Sequence, residues 1–99
     1  MHDLEIFKKV VEKMLLPEYP WVNKTTIGQT KWYYATTSNL LEFTLKYHFN
    51  PSKINDEDEL DLEMLNLKLL TIEKETRRLL GLLSFDYNVR LVNIFWYIN

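Results

Sequence analysis

The sequence predicts a single α+β domain over residues 1–99, with two helices packed on one face of a small, mainly antiparallel sheet. Three observations support this fold class. Apolar residues recur at helical spacing near the N-terminus, apolar and polar residues alternate in the middle, and β-branched and aromatic residues dominate the C-terminal segment. Taken with the intervening segments, they predict the element order α-β-β-β-α-β.

Residues 4–16 form the first predicted helix. Asp3 is a suitable N-cap, and Pro17 is expected to end the helix because the residue before a proline avoids helical conformations. The apolar side chains share one helical face, at Leu4, Phe7, Val10, Val11, Met14 and Leu15.

Two strands are predicted next, at residues 21–27 and 31–37, because both segments are rich in threonine, aromatic and β-branched residues. The Gly-Gln-Thr sequence at residues 28–30 is predicted to be the turn of an antiparallel hairpin.

Residues 41–49 alternate apolar and polar side chains without a break, which predicts a third strand with one face on a core. A helix capped by Asn39, with Glu42 completing a capping box, is the alternative. We favour the strand, because five alternating positions outweigh one capping pattern.

A second helix is predicted after the acidic run at residues 56–63, with Asn55 or Asp56 as its cap. Its start is open, because residues 60–64 also alternate like a strand. One face of this helix is apolar, at Leu62, Leu65, Leu69, Ile72, Thr76, Leu79, Leu80 and Leu83. Residues 89–98 are predicted to form a final, largely buried strand.

Composition excludes several classes of function. The chain has no cysteine, so it has no disulfide, thiolate metal site or cysteine nucleophile. Its formal charge of −2 argues weakly against a protein that binds nucleic acid mainly through phosphates. No secretory signal or bilayer-length apolar segment is found, so a cytoplasmic location and no membrane partner are expected.

We expect no catalytic residues, no metal site and no cofactor, and therefore a protein that is not an enzyme. Gly28 and Gly81 are isolated, so there is no glycine-rich phosphate loop. His48 falls on the polar side of its strand and is expected to be solvated. The acidic run lacks the glycine of a calcium loop and is expected to be a solvated helix start.

The candidate binding residues are aromatic and basic side chains of the predicted hairpin: Trp21, Lys24, Lys31, Trp32, Tyr33 and Tyr34. Trp32 and Tyr34 should point to one side of a strand and Lys31 and Tyr33 to the other, so one aromatic pair is expected in the core. Exposed aromatic residues are common anchors of protein interfaces. The expected function is thus a small accessory, regulatory or inhibitory protein that binds a protein partner through exposed aromatics.

The alternative function is a single-stranded nucleic-acid binder, in which the hairpin aromatics stack bases and Lys24 and Lys31 meet phosphates. Self-association is a further expectation. Several apolar residues of the second helix lie off its core face and would need another sheet or subunit to cover them, namely Leu60, Met64, Leu67, Leu70 and Leu82.

The predicted order helix, three strands, helix resembles that of the double-stranded RNA-binding domain up to Leu83. That family has a lysine-rich patch at the start of its second helix, where it meets phosphates. The corresponding residues here, 56–63, are mostly acidic. No family is therefore assigned from the sequence.

Overall fold

The computed structural model describes residues 2–34, 39–54, 62–83 and 88–99. Within these residues the α+β class is confirmed, but the predicted order is wrong: the elements follow one another as α-β-β-α-β. The helices and strands are α1 (His2–Met14), β1 (Val22–Tyr34), β2 (Asn39–Phe49), α2 (Leu62–Leu82) and β3 (Asn88–Ile98). Short 3-10 turns at Leu16–Glu18 and Pro51–Lys53 connect α1 to β1 and follow β2.

The predicted hairpin is one continuous strand. β1 pairs with β2 along its length, and the expected turn at residues 28–30 is an irregularity between the pairs Ile27–Leu45 and Thr30–Phe43. An extra residue in one strand of a pair is accommodated as a bulge. A tight hairpin turn needs residues with positive φ, and neither glycine has one among the described residues. Residues 35–37 of the predicted second strand lie outside the described residues.

Gly28 is needed in this bulge because the neighbouring strand comes very close. A Cβ atom at Gly28 would lie 2.0 Å from Oγ1 of Thr44 and 3.3 Å from Cε of Lys46. The glycine therefore makes room for two side chains of β2. A single glycine in a strand often marks such a close approach rather than a turn.

The three strands form one sheet in the order β1-β2-β3. β1 and β2 are antiparallel, whereas β2 and β3 are parallel. The sheet is thus mixed rather than mainly antiparallel. A parallel pair needs a long crossover, and α2 provides it between β2 and β3. This crossover also removes the topological resemblance to the double-stranded RNA-binding domain, whose helices enclose three successive strands.

The alternation in β2 is confirmed, and the helical alternative for this segment is wrong. Every second side chain is buried, at Leu41, Phe43, Leu45, Tyr47 and Phe49, and each is at most 3% exposed. Phe7 of α1 meets the Phe43 ring edge to face at 5.8 Å, and Tyr47 hydrogen-bonds Thr76 of α2 at 2.7 Å. Phe43 and Tyr47 are four residues apart in a strand and share one face. Both helices therefore pack on the same face of the sheet.

The remaining elements follow the predicted boundaries closely. The helix predicted at residues 4–16 is confirmed as α1, which ends at Met14 before the turn that contains Pro17. The second predicted helix is confirmed as α2, while its proposed caps and residues 55–61 lie outside the described residues. The final strand is confirmed as β3, but it is not largely buried. Only Leu91 and Ile94 are buried in it, because β3 is an edge strand with one uncovered face.

The N-terminal half of α2 extends past the end of the sheet. Thr76 contacts Tyr47, which is two residues from the end of β2. Leu62 lies 14 residues before Thr76, or roughly 21 Å along the helix, whereas the sheet continues for only about 7 Å. The molecule measures 55 × 22 × 20 Å, and its radius of gyration of 15.1 Å exceeds the ~13 Å of a compact domain of this size. We call residues 62–71 the projecting segment.

Candidate functional site

Of the predicted binding residues, Trp21 belongs to the core and Trp32 packs against it. Trp21 is 6% exposed, and its ring meets Phe49 at 6.0 Å and Tyr19 at 6.1 Å. Trp32 pairs with Leu41 on the helix-covered face and is half-buried against the core. These contacts account for both tryptophans as packing residues.

Tyr34 lies on the same side of β1 as Trp32, at the end of the strand. Its ring stacks on Trp32 at 6.0 Å with an angle of 14° between the planes. It is nevertheless 77% exposed. Tyr34 is therefore a surface aromatic on the helix-covered side, separated from the other exposed candidates by the thickness of the sheet.

The other three candidates lie on the opposite face of the sheet. Lys24, Lys31 and Tyr33 pair with His48, Glu42 and Leu40 of β2, the residues that alternate with its buried side chains. Lys31 and Tyr33 are neighbours on this face, while Lys24 lies roughly 20 Å away along the same strand. Neither helix packs on this side, and we call it the open face.

The open face includes residues of β2 and β3 that are not among the predicted binding residues. Lys46 pairs with Phe95, and His48 pairs with Tyr97. Phe95 and Tyr97 are 40% and 42% exposed. They were missed because the sequence does not reveal that β3 lies beside β2, nor that its outer face is uncovered.

Tyr97 is held by two neighbours from β2. The His48 ring stacks on it at 5.3 Å with 22° between the planes, and Nζ of Lys46 lies 5.9 Å from the centroid of the Tyr97 ring. An ammonium at this distance from an aromatic ring is attracted to it. The aromatic ring and the positive charge are thus next to each other on the surface.

The open face is positively charged although the chain as a whole is negative. Its strands carry four cations on this side, at Lys24, Lys31, Lys46 and Arg90, and one carboxylate, at Glu42. Nη1 of Arg90 lies 3.2 Å from the Glu42 carboxylate. The described face therefore has a net charge of +3 in a chain of −2.

A shallow groove of about 510 Å³ crosses the middle of this face. Both edge strands are irregular at this level. The irregularity in β1 lies between Ile27 and Thr30, and the one in β3 lies between Leu91 and Asn93. Bulges bend the strands that contain them. The groove is lined by backbone and side chains that include Gln29, Thr30, Lys31, Glu42, Thr44 and Val92.

The projecting segment is a second exposed surface. Met64, Leu67 and Leu70 are 50%, 64% and 50% exposed, and Leu62 is 76% exposed. Leu65 and Leu69, on the other side of the helix, pack against the core. Leu82 is also exposed, as expected, and Leu60 lies outside the described residues.

Comparison with protein-family models, curated proteins and solved structures gives no match to this chain. No described helix is long and apolar enough to cross a membrane.

Among the described residues, one titratable group has a resolved shift. Burial raises the pKa of the Tyr47 phenol. Tyr47 lies beneath the helices and is fully buried, so this shift reflects packing. The described His, Asp and Glu side chains also form no cluster of three that could hold a metal ion.

Proposed function

We propose that this chain is a small non-enzymatic interaction module, and that the projecting segment of α2 binds a protein partner, a second copy of the chain. The observation that carries the proposal is the exposure of four large apolar side chains on a helix that extends beyond its own sheet. Apolar patches of this kind commonly mark protein interaction sites. The proposed anchor differs from the aromatic cluster favoured by the sequence, because Trp21 is buried in the core and Trp32 is half-buried against it.

The pattern of the segment supports a second copy as the partner. Met64, Leu67 and Leu70 are spaced by three residues and form a short ridge along the exposed side of the helix. In an antiparallel pair with its two-fold axis at Leu67, Met64 of one copy lies opposite Leu70 of the other. The same patch then serves both copies, as a two-fold interface requires.

Charge favours the same antiparallel arrangement. Residues 56–59 and 61 are all acidic, and Glu63 follows in the first turn of α2. Lys74 lies two turns beyond Leu67, on the same side of the helix. Antiparallel pairing brings the first turn of α2 in one copy, which holds Glu63, towards the half of α2 that holds Lys74 in the other, whereas parallel pairing would bring like charges together.

The expected association is modest. Covering six half-exposed Leu and Met side chains, three from each copy, contributes about 6 kcal/mol, taking half of the value for full burial. Association costs on the order of 4–15 kcal/mol in lost translational and rotational freedom. The two quantities are comparable, so we expect a monomer–dimer equilibrium that depends on concentration.

The proposal is tested by sedimentation equilibrium over a wide range of protein concentration. We expect the average mass of the wild type to rise towards twice the 12.0 kDa chain mass, and Leu67→Glu to remain a monomer. Met14→Glu is the matched control, because Met14 is 67% exposed on α1, and it should associate like the wild type. A wild type that stays monomeric throughout, or a Met14→Glu variant that loses association equally, would overturn the proposal.

The non-enzymatic part of the proposal is supported by the surroundings of the ionisable side chains. Tyr47 is committed to a structural hydrogen bond, and His48 stacks on Tyr97 in an open, shallow surface. A catalytic centre usually needs perturbed groups that converge in a cleft.

A further inference from the structure

We propose that the open face of the sheet binds single-stranded nucleic acid. Bases would stack on Tyr33, Phe95 and Tyr97, and Lys24, Lys31, Lys46 and Arg90 would meet the phosphates. This inference goes beyond the self-association proposed above and concerns a different surface of the molecule.

Charge complementarity is the first argument. Four cations and one carboxylate lie on this face of the described strands, in a chain whose formal charge is −2. The cations are spread over all three strands, with Lys24 and Lys31 on β1, Lys46 on β2 and Arg90 on β3. An extended polyanion can contact them together, while one compact anion cannot.

The arrangement of the aromatic rings is the second argument. Phe95 and Tyr97 are alternate residues of β3, about 7 Å apart on one face. Both are at least 40% exposed, and Tyr33 is 47% exposed on the opposite edge strand. Aromatic residues on a sheet surface stack unpaired bases of any sequence, whereas the bases of a duplex are already stacked on each other.

Lys46 brings a positive charge close to one of the exposed aromatic rings. Its ammonium lies 5.9 Å from the Tyr97 ring centroid in β3, and its Cε lies 3.3 Å from the position of a Cβ at Gly28 in β1. A base stacked near Tyr97 would place its own phosphate within reach of this cation. His48 packs against the same ring and limits its rotation, so the stacking surface is partly preorganised.

These features favour nucleic acid over an acidic peptide. A peptide carboxylate would use the four cations but would gain little from flat, spaced rings. The binding of a nucleic-acid strand should therefore depend on the rings as well as on the charges. This difference separates the two kinds of partner experimentally.

The test is fluorescence anisotropy with a short labelled single strand of mixed sequence, at increasing salt concentration. We expect Phe95→Ala to weaken binding roughly five- to a hundredfold, as the loss of one base–aromatic stack does. Lys31→Gln should weaken it and reduce the slope of log affinity against log salt by about 0.7. A duplex of the same sequence should bind more weakly than the single strand.

Two matched controls use the helix-covered side of the molecule. Tyr34→Ala removes a ring that is 77% exposed on the other face of the sheet, and Lys13→Gln removes an exposed cation from α1. Neither should change the affinity. Leu67→Glu should bind the strand as well, so that failure of the self-association proposal can be told apart from failure of this one.

The inference is overturned if no single strand binds at low salt, or if the controls lose as much affinity as Phe95→Ala. It is also overturned if the duplex binds equally well, or if poly-glutamate binds with the same dependence on Phe95. The last result would identify the open face as a site for an acidic protein. Circular dichroism of each variant will show that the fold is retained.

Discussion

Tyr47 and Thr76 join the central strand to α2 through a buried hydrogen bond. The Thr76 hydroxyl also lies 2.6 Å from the carbonyl oxygen of Ile72, to which it donates its proton. The Tyr47 hydroxyl must therefore donate to Oγ1 of Thr76, and both polar groups are satisfied in the core. Burial of such groups is tolerated only when they are paired in this way.

The raised pKa of Tyr47 predicts a loss of stability at alkaline pH. Its value in the unfolded chain is close to 10.0, and burial raises the value in the folded protein. The stabilisation is therefore complete below pH 10 and is lost as the pH rises above it, because the unfolded state then releases the proton more readily. We expect the wild type to lose up to about 1.4 kcal/mol more per pH unit than Tyr47→Phe.

Urea denaturation of both proteins at several alkaline pH values will measure this difference. Tyr34→Phe, at a side chain that is 77% exposed, is the control for removal of a tyrosine hydroxyl from the surface. Equal pH dependence in the wild type and Tyr47→Phe would contradict the argument.

A substitution at Gly28 tests the close approach of Thr44 in β2 to the bulge in β1. An added Cβ would meet Oγ1 of Thr44 at 2.0 Å, so Gly28→Ala should destabilise the protein by about 1–3 kcal/mol through overpacking. In a Thr44→Ala background that oxygen is absent, and the same substitution should cost less. Chemical denaturation of the wild type, Gly28→Ala, Thr44→Ala and the double variant measures the loss of stability caused by Gly28→Ala in each background. An equal loss in both backgrounds would argue against a clash with Thr44.

Individual residues show where sequence reasoning succeeds and where it fails. The buried side chains of β2 were predicted from alternation alone, because one face on a core imposes a period of two. Gly28 was assigned to a turn because glycine serves turns and close approaches equally well. The distinction depends on Thr44, a residue 16 positions away, and no local pattern contains it.

α2 consists of two parts with different roles. Residues 72–82 lie over the sheet and place Ile72, Thr76 and Leu79 in the core. Arg77 donates a hydrogen bond of 2.6 Å to the carbonyl of Leu91 in β3, close to the strand irregularity. The projecting segment lacks such contacts on its exposed side, so the two parts should contribute very differently to stability.

Substitution in the two parts of α2 should separate folding from association. Leu79 is 5% exposed, and Leu79→Ala should destabilise the chain by about 2–5 kcal/mol. Leu67 is 64% exposed, and Leu67→Ala should change the stability of the monomer by less than about 0.5 kcal/mol. Thermal or urea denaturation at low protein concentration will compare them. Similar losses for both variants would show that the projecting segment packs within its own chain.

The amphipathic pattern of α2 was readable from the sequence, and so was the second set of apolar residues off its core face. The extension of α2 past the sheet could not be predicted from the sequence, because it depends on which turn of the helix contacts Tyr47. Likewise, β1 is longer than any strand predicted, since its pairing with β2 continues through an irregularity that resembles a turn in the sequence.

At the scale of the whole molecule, the topology leaves one face of the sheet uncovered. Both helices cross the same side, so the outer residues of all three strands meet on a surface that carries both aromatic and basic side chains. This surface combines Lys31 and Tyr33, which the sequence suggested, with Phe95 and Tyr97, which it did not. Strand order decides which residues become neighbours, and a single sequence carries little information about it.

The two proposed surfaces lie apart, one on the outer face of the sheet and the other on the end of α2. A dimer formed through the projecting segments would keep both open faces available. It would also present two copies of a weak binding surface to one strand, which increases the apparent affinity without new contacts.

The distance between the two copies of α2 is a direct test of self-association through the projecting segment. The chain has no cysteine, so a nitroxide attached to Asn66→Cys is the only label, and Asn66 is an exposed residue of the projecting segment. If the segments pair, pulsed electron resonance should detect a short interchain distance, consistent with helix axes about 8–10 Å apart, and Leu67→Glu should abolish it. Absence of coupling between labels at every protein concentration would contradict pairing of the projecting segments.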